Sequence, residues 1–153
     1  SGITNIAIGN DARAEGDTAF ARRNIAIGHN ATASSENTLA VGSGSQASSA
    51  TSTAVGFGAQ ATGLRGLALG LSAQATAFAS MAAGNYVIAS AEGTIALGGF
   101  NTNANQTNAI AIGKETNATA AGAIALGAGV TGNIADTLST KAIELQTNST
   151  PTA

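Results

Sequence analysis

The sequence repeats one short motif along most of its length: an apolar residue, alanine, a second apolar residue and glycine. The copy Ile25-Ala26-Ile27-Gly28 is typical. From this copy onward, the closing glycines lie at positions 28, 42, 56, 70, 84, 98, 113 and 127, a 14-residue period with a single one-residue slip. A period kept this regularly predicts stacked structural units, each packed mainly against its neighbours.

Each motif predicts a short β-strand, because side chains that alternate with a period of two point to opposite faces of a strand. The glycine ends the strand at a sharp turn. A second alternation follows, with alanine five residues after most of the glycines and polar residues beside it. Two strands and two turns in 14 residues predict an all-β parallel solenoid, a β-roll. A helical repeat is disfavoured, since every unit carries a glycine.

The repeats predict one β-roll domain over residues 1–132. The first motif ends at Gly9, and the 19 residues from Gly9 to Gly28 exceed the period by five. This expansion, around residues 15–23, predicts a bulging loop or a degenerate coil. Residues 133–153 lose the pattern and are expected to form a cap or an exit segment toward a stalk.

Both faces of the first strand in each unit are apolar, so two orientations are open. We assign the large Ile, Leu and Val side chains to the interior, since large against small side chains fill a thin core. The alanine row then lies outside and predicts an interface with a second copy of the chain. The predicted interface residues are Ala26, Ala40, Ala54, Ala68, Ala82, Ala96, Ala111 and Ala125. The alternatives are that the faces are swapped, with the aliphatic side chains at the interface, or that the alanine row is merely tolerated at the surface.

The second strand predicts regular polar rows on the outside of the roll. These rows are candidate ligand-binding surfaces, and the other interpretation is a simple solvated sheet face. The candidate residues are Gln46, Gln60, Gln74, Ser48, Thr62 and Thr76. Further candidates are the Arg22-Arg23 loop and the aromatic residues Phe57, Tyr86 and Phe100, which lie near predicted turns.

The residue types for catalysis or metal binding are scarce. His29 is the only histidine, there is no cysteine, and charged residues make up 9% of the chain. No carboxylate pair, nucleophile motif or metal-ligand spacing is present, so we expect no enzyme activity, no metal and no cofactor. A formal net charge of −2 gives no basis for a nucleic-acid partner or for direct membrane contact.

The strings Asn24-Ile25-Ala26-Ile27-Gly28 and Asn108-Ala109-Ile110-Ala111-Ile112-Gly113 resemble the head repeats of YadA-like trimeric autotransporter adhesins. The resemblance covers about residues 3–132. It implies a left-handed parallel β-roll in a tight homotrimer, carried on a coiled-coil stalk from a bacterial outer membrane. It also implies adhesion to host matrix proteins or cell-surface receptors. The expansion before Gly28 departs from the family pattern, and no clear heptad stalk follows the repeats.

Three functions are compatible with such a roll. The leading hypothesis is a non-enzymatic adhesin head that binds its partner through the outer faces of a trimer. The alternative is a trimeric module of a phage or virus fibre or spike, acting as a rigid spacer or as a receptor-binding tip. An ice-binding solenoid is disfavoured, because the row four residues after each glycine mixes Thr, Gln, Ile and Asn.

Overall fold

Short parallel strands stacked in register make up the chain, which is known from a computed structural model that describes residues 4–15 and 23–141. No helix occurs within these ranges. The strands are β1 (Ile6–Ile8), β2 (Arg13–Ala14), β3 (Ile25–Ile27), β4 (Thr32–Ala33), β5 (Leu39–Val41), β6 (Gln46–Ala47), β7 (Thr53–Val55), β8 (Gln60–Ala61), β9 (Leu67–Leu69), β10 (Gln74–Ala75), β11 (Met81–Ala89), β12 (Ile95–Ala104), β13 (Ile110–Lys114), β14 (Asn117–Ala118), β15 (Ile124–Leu126), β16 (Thr131–Gly132) and β17 (Leu138–Thr140). The all-β parallel solenoid predicted from the repeat is confirmed.

Each coil contributes one strand to each of two sheets. Strands that carry the alanine-centred motif, such as β3, β5 and β7, stack as sheet A. The shorter strands between them, such as β4, β6 and β8, stack as sheet B. β11 and β12 run through both sheets. The turns after the repeat glycines form edge 1, and the turns that lead from sheet B to the next coil of sheet A form edge 2.

Both edges are closed by tight turns that also stack on one another. On edge 1 the Ala59 amide donates to the Gly56 carbonyl (3.3 Å), and on edge 2 the Gly66 amide donates to the Gly63 carbonyl (2.9 Å). Between coils, the Gly58 amide donates to the Ser43 carbonyl (2.9 Å). The hydrogen-bond ladder therefore continues around the turns, and the backbone polar groups there are paired as buried backbone requires.

The interior of the roll is lined by small side chains from both sheets. From Ala26 onward the central alanines of sheet A are fully buried and share the core with buried alanines of sheet B, such as Ala61 and Ala75. Their aliphatic neighbours, such as Leu67 and Leu69, are half-buried or exposed on the outside. The predicted orientation is therefore wrong: the alanines lie inside and the aliphatic side chains outside, as the swapped alternative has them, and the interface of that alternative stays a prediction. The residues moved inside are Ala26, Ala40, Ala54, Ala68, Ala82, Ala96, Ala111 and Ala125.

The width of the roll explains this orientation. A single tight turn at each edge holds the two sheets close together, so that the interior has room for methyl-sized side chains but not for a layer of leucines. Many corner positions are small as well, for example Ser52, Gly66 and Ala73, and the largest fully buried side chains, such as Val87 and Asn24, also lie at the corners. Close-packed interiors tolerate no excess volume, so small side chains meet small ones across this core.

Buried hydroxyl groups at the corners donate hydrogen bonds to backbone carbonyls of the turns. On edge 2 the hydroxyls of Ser52 and Thr94 donate to the carbonyls of Ser49 and Ala91, each at 2.6 Å. On edge 1 the Thr116 hydroxyl donates to the Gly127 carbonyl of the next coil at 2.6 Å. These polar side chains fit the thin core because each hydroxyl donates to a backbone carbonyl. That hydrogen bond offsets the desolvation of the buried hydroxyl.

The one-residue slip of the period is absorbed on edge 1. Asn85 pairs with Gly99, but Val87 pairs with Thr102, so Phe100 and Asn101 together lie opposite Tyr86. Such a β-bulge holds one extra residue without altering the strands beyond it. Sheet B is accordingly back in register in β12 and β14.

The expansion before Gly28 leaves the pairing of the coils intact. Ile6 pairs with Ile25, and Arg13 pairs with Thr32, so the first coil stacks directly on the next and no extra coil intervenes. The expansion itself, residues 16–22, lies outside the described residues. The stack also continues past residue 132, because β17 pairs with β15. The predicted cap or exit segment lies mostly in residues 142–153, outside the described part, and stays a prediction.

Candidate functional site

Two rows of mostly aliphatic side chains run along the outer surface of sheet A. Neighbours in each row are paired in register, as in Ile25 with Leu39 and Ile27 with Val41. In the single chain these side chains are only partly covered, and Leu126 is 44% exposed. We call this surface the aliphatic face. Its residues are Ile6, Ile25, Leu39, Thr53, Leu67, Met81, Ile95, Ile110, Ile124 and Leu138 in one row, and Ile8, Ile27, Val41, Val55, Leu69, Ala83, Leu97, Ile112 and Leu126 in the other.

The outer surface of sheet B is mostly polar, although the half-buried Ile88 lies in the same row beside Gln74. Gln46, Gln60 and Gln74 pair in register on three successive coils, with Gln46 exposed and the other two half-buried. The predicted hydroxyl row lies beside them, with Ser48 and Thr76 exposed and Thr62 half-buried. The structure therefore brings the six candidate residues together on one surface, which we call the polar ladder.

Two further amides of sheet B lie in the same row. The count from the glycine already placed Asn117 there, without making it a candidate, whereas Asn103 was missed. The Asn103 side-chain amide donates to the side-chain carbonyl of Asn117 on the next coil at 3.0 Å. Counting from the glycine placed Thr102 in this row, because the position of the bulge was unknown. The structure shows instead that Thr102 is buried, and that Asn103 pairs with Ile88 of the preceding coil.

The aromatic side chains of the described residues lie on the two edges. Phe57, Tyr86 and Phe100 are exposed on edge 1, and the rings of Tyr86 and Phe100 stack with centroids 6.2 Å apart. On edge 2 the Arg65 guanidinium lies over the Phe78 ring, 5.6 Å from its centroid. The sequence reasoning did not single out this pair. A cation held over an aromatic face gains modest electrostatic stabilisation.

The ionisable groups of the described ranges do not form a cluster. His29 is exposed in its turn beside the Asn30 side chain, with 3.2 Å between His29 Nδ1 and Asn30 Nδ2. Lys114 and Glu115 form an exposed ion pair at 3.5 Å. Across residues 4–15 and 23–141 no three His, Cys, Asp or Glu residues come together as a metal site would require. Arg23 is exposed, whereas Arg22 lies outside the described residues.

A stack of coils with a thin alanine core, one aliphatic outer face and one polar outer face defines a structural repeat module of the parallel β-solenoid class. The model of one family, the YadA head domain repeat, matches most of the chain, and the chain belongs to that family. The matches cover residues 1–21, 25–45, 47–73, 89–116 and 104–129. The YadA head is a structural domain of adhesins.

A search of curated proteins found no match to the chain. The described residues contain no helix that is long and apolar enough to span a membrane.

Proposed function

We propose that the chain is the head of a trimeric adhesin, in which three copies associate through their aliphatic faces and bind a partner through their outward surfaces. The observation that carries the proposal is the contrast between the two outer surfaces of the roll. Sheet A presents two mostly aliphatic rows, whereas sheet B presents the polar ladder. Membership of the YadA head family supports the trimeric state and a left-handed coil.

The aliphatic face is the surface on which association is favourable. Soluble monomers rarely expose contiguous apolar patches beyond a few hundred square ångströms, and these rows follow sheet A over the regular coils. Burial of apolar surface stabilises an interface by about 25 cal/mol per Å², so the contributions of successive coils add up along the roll. The alanine row has no part in this interface, because it is buried inside each roll.

Leu69→Asp tests the assembly. Leu69 is 37% exposed on the aliphatic face, so the carboxylate leaves the single chain folded but places three charges near the trimer axis. Thr62→Asp, which adds the same charge to the surface of sheet B, is the matched control. We expect light scattering to give three times the chain mass for the wild type and Thr62→Asp, and the chain mass for Leu69→Asp. A monomeric wild-type protein, or a fully trimeric Leu69→Asp, would contradict the proposed interface.

The proposed partner is a host matrix protein or a cell-surface receptor, bound by the polar ladder. In such a trimer the ladder points away from the axis on each subunit, and its six side chains carry no charge. Each contact would be weak, and threefold repetition would strengthen binding through avidity. The proposal includes no catalytic step.

The test of binding replaces the six residues of the polar ladder with alanine. Control variants carry alanine at exposed polar positions of edge 2, such as Thr51 and Thr107. We expect the ladder variant to remain trimeric and to lose adhesion to immobilised matrix proteins and cultured cells, while the control keeps both. A ladder variant that is trimeric and keeps full adhesion would show that the polar ladder is not the binding surface.

The proposed location is a bacterial cell surface, where a stalk from the outer membrane would carry the head. The support for this is the family match alone. Surface labelling of intact cells with an antibody against the head tests it, and labelling that requires cell lysis would contradict it.

A further inference from the structure

Large apolar side chains are exposed in two places besides the aliphatic face, and both are edges of the roll. On edge 1 these residues are Phe57, Leu71, Tyr86 and Phe100, with Phe57 64% and Leu71 37% exposed. On edge 2 they include Leu64, 44% exposed, and Phe78, 41% exposed. The outer surface of sheet B carries none among the described residues.

The apolar parts of the two edges lie at the same height over two successive coils. On edge 1 the Ser72 amide donates to the Phe57 carbonyl and the Tyr86 amide to the Leu71 carbonyl, both at 2.9 Å, so these turns belong to successive coils. On edge 2 the Ala79 amide donates to the Leu64 carbonyl at 2.9 Å, which places Leu64 and Phe78 on successive coils. Leu64 follows Phe57 by half a coil, and Phe78 follows Leu71 in the same way.

The turns above and below this zone are polar or small, except that the last described turn of edge 2 carries Ile134, which is 63% exposed. On edge 1 the equivalent positions hold His29 and Ser43 toward the first coil and Lys114 toward the last. On edge 2 they hold Glu36 and Ala50 before the apolar zone, and Glu92 and Thr107 after it. Both edges are thus apolar over these two coils, although no contact within one chain joins them, whereas Tyr86 and Phe100 of edge 1 lie level with Glu92 and Thr107 of edge 2.

We propose that the two edges meet between neighbouring copies, so that Phe57 and Leu71 of one copy pack against Leu64 and Phe78 of the next. This inference rests on the proposed trimer. In a ring of three identical rolls whose aliphatic faces point to the axis, edge 1 of each copy faces edge 2 of its neighbour, as in any heterologous closed interface. Phe57 and Leu71 then meet Leu64 and Phe78, because these residues lie at the same height. We call this contact the edge seam.

In the proposed contact, Arg65 lies at the rim of the edge seam. Its guanidinium already lies over the Phe78 ring, and it is the only charged residue between residues 37 and 91. A partly buried arginine keeps its charge in water while its stem and plane cover apolar surface. The central part of the seam therefore contains no buried unpaired charge.

Engineered cysteines test the edge seam directly, since the native chain contains none. A disulfide requires Cα atoms within about 7 Å, so it reports on the neighbour at one height only. We would pair Leu71→Cys with Phe78→Cys and, separately, with Leu64→Cys. The control pair is Leu71→Cys with Thr107→Cys, about two coils or roughly 10 Å away along the roll from Phe78.

We expect at least one of the two test pairs, placed in one chain and oxidised, to give covalent trimers on non-reducing gels. Co-assembly of two singly substituted chains should give covalent dimers. The single variants alone and the control pair should remain uncrosslinked. A chain that is trimeric by light scattering but gives no crosslink with either pair overturns the edge seam and leaves the proposed trimer standing. A monomeric chain overturns both.

Crosslinking of Leu71→Cys with itself would also overturn the proposal, because edge 1 would then face edge 1. A second measurement separates the seam from a ligand-binding patch. The double variant Leu71→Ser/Phe78→Ser should lower the thermal midpoint of the trimer relative to Thr51→Ser/Thr107→Ser. If the thermal midpoint were unchanged and adhesion were lost, the apolar parts of the edges would bind a partner molecule and would not form the seam.

Discussion

Asn24 and Thr38, which occupy the same position on two successive coils, are joined inside the roll by two hydrogen bonds. The Thr38 amide and hydroxyl both donate to Asn24 Oδ1, at 3.0 and 3.1 Å. The Asn24 side-chain amide donates in turn to the Glu15 carbonyl, and its backbone amide donates to Asn5 Oδ1 at 3.2 Å. Asn24 thus links the coils on either side of the expansion, the segment between Glu15 and Arg23 that makes this interval longer than the 14-residue period.

Asn24→Ala is expected to destabilise the fold. The substitution removes the acceptor of the buried Thr38 amide and leaves that donor without its partner, a loss of ~1–3 kcal/mol in the free energy of unfolding. Asn105→Ala is the control, because Asn105 is exposed on the polar side of the roll. Urea titration followed by circular dichroism measures both. Equal midpoints for the two variants would show that water or a shifted side chain replaces the Asn24 contacts.

Ala68→Leu and Ala83→Leu form a matched pair that tests which face of sheet A is inside. Ala68 is fully buried between the sheets, so three extra carbons there overpack the core, which typically costs ~1–3 kcal/mol. Ala83 lies on the aliphatic face and pairs with Leu69 and Leu97, so leucine there only continues the row.

The two denaturation midpoints decide between the orientations. We expect a clear fall for Ala68→Leu and no fall for Ala83→Leu. The reverse order would place the alanine row outside, as the sequence-based prediction had it.

Gly84→Ala tests the close approach of coils at edge 1. Gly84 has a φ of +129°, and a Cβ there would collide with the Gly98 carbonyl of the next coil. Backbone strain of this kind costs ~1–3 kcal/mol before the collision is counted. Gly99→Ala is the control, since a Cβ at Gly99 meets no atom within 4 Å. We expect Gly84→Ala to unfold at lower temperature than Gly99→Ala by calorimetry, and coincident transitions would refute the clash.

Deletion of Asn101 tests the assignment of the period slip to the bulge. Phe100 and Asn101 share one position opposite Tyr86, so removal of one residue returns the coil to the regular period. Deletion of Leu97 instead shifts a strand of sheet A by one residue and moves every side chain beyond it to the opposite face. We expect the Asn101 deletion to keep the wild-type circular dichroism spectrum and the Leu97 deletion to lose it. Loss of the fold in both would mean that the bulge is structurally required.

The sequence predicted those features that depend on short-range chemistry. The glycine spacing predicted coils and turns, and Ile25↔Leu39 and Leu39↔Thr53 pair one period apart as the repeat implies. Alternation of small and polar residues around Gln60 placed that side chain on the outer surface. The existence of one slip was visible as well, but its location at Phe100 and Asn101 was not, because the residues on both sides of it are compatible with either register.

The sequence by itself determined the coil length, the two strands of each coil and the polar surface of sheet B. Only the tertiary structure decided which side of sheet A is inside, since both sides of Leu67-Ala68-Leu69 are apolar and hydrophobicity alone does not rank them. The deciding factor is the distance between the two sheets, which the tight turns at both edges hold too short for leucine. Alanine therefore fills the core, and the larger aliphatic side chains remain outside, where another copy of the chain would cover them.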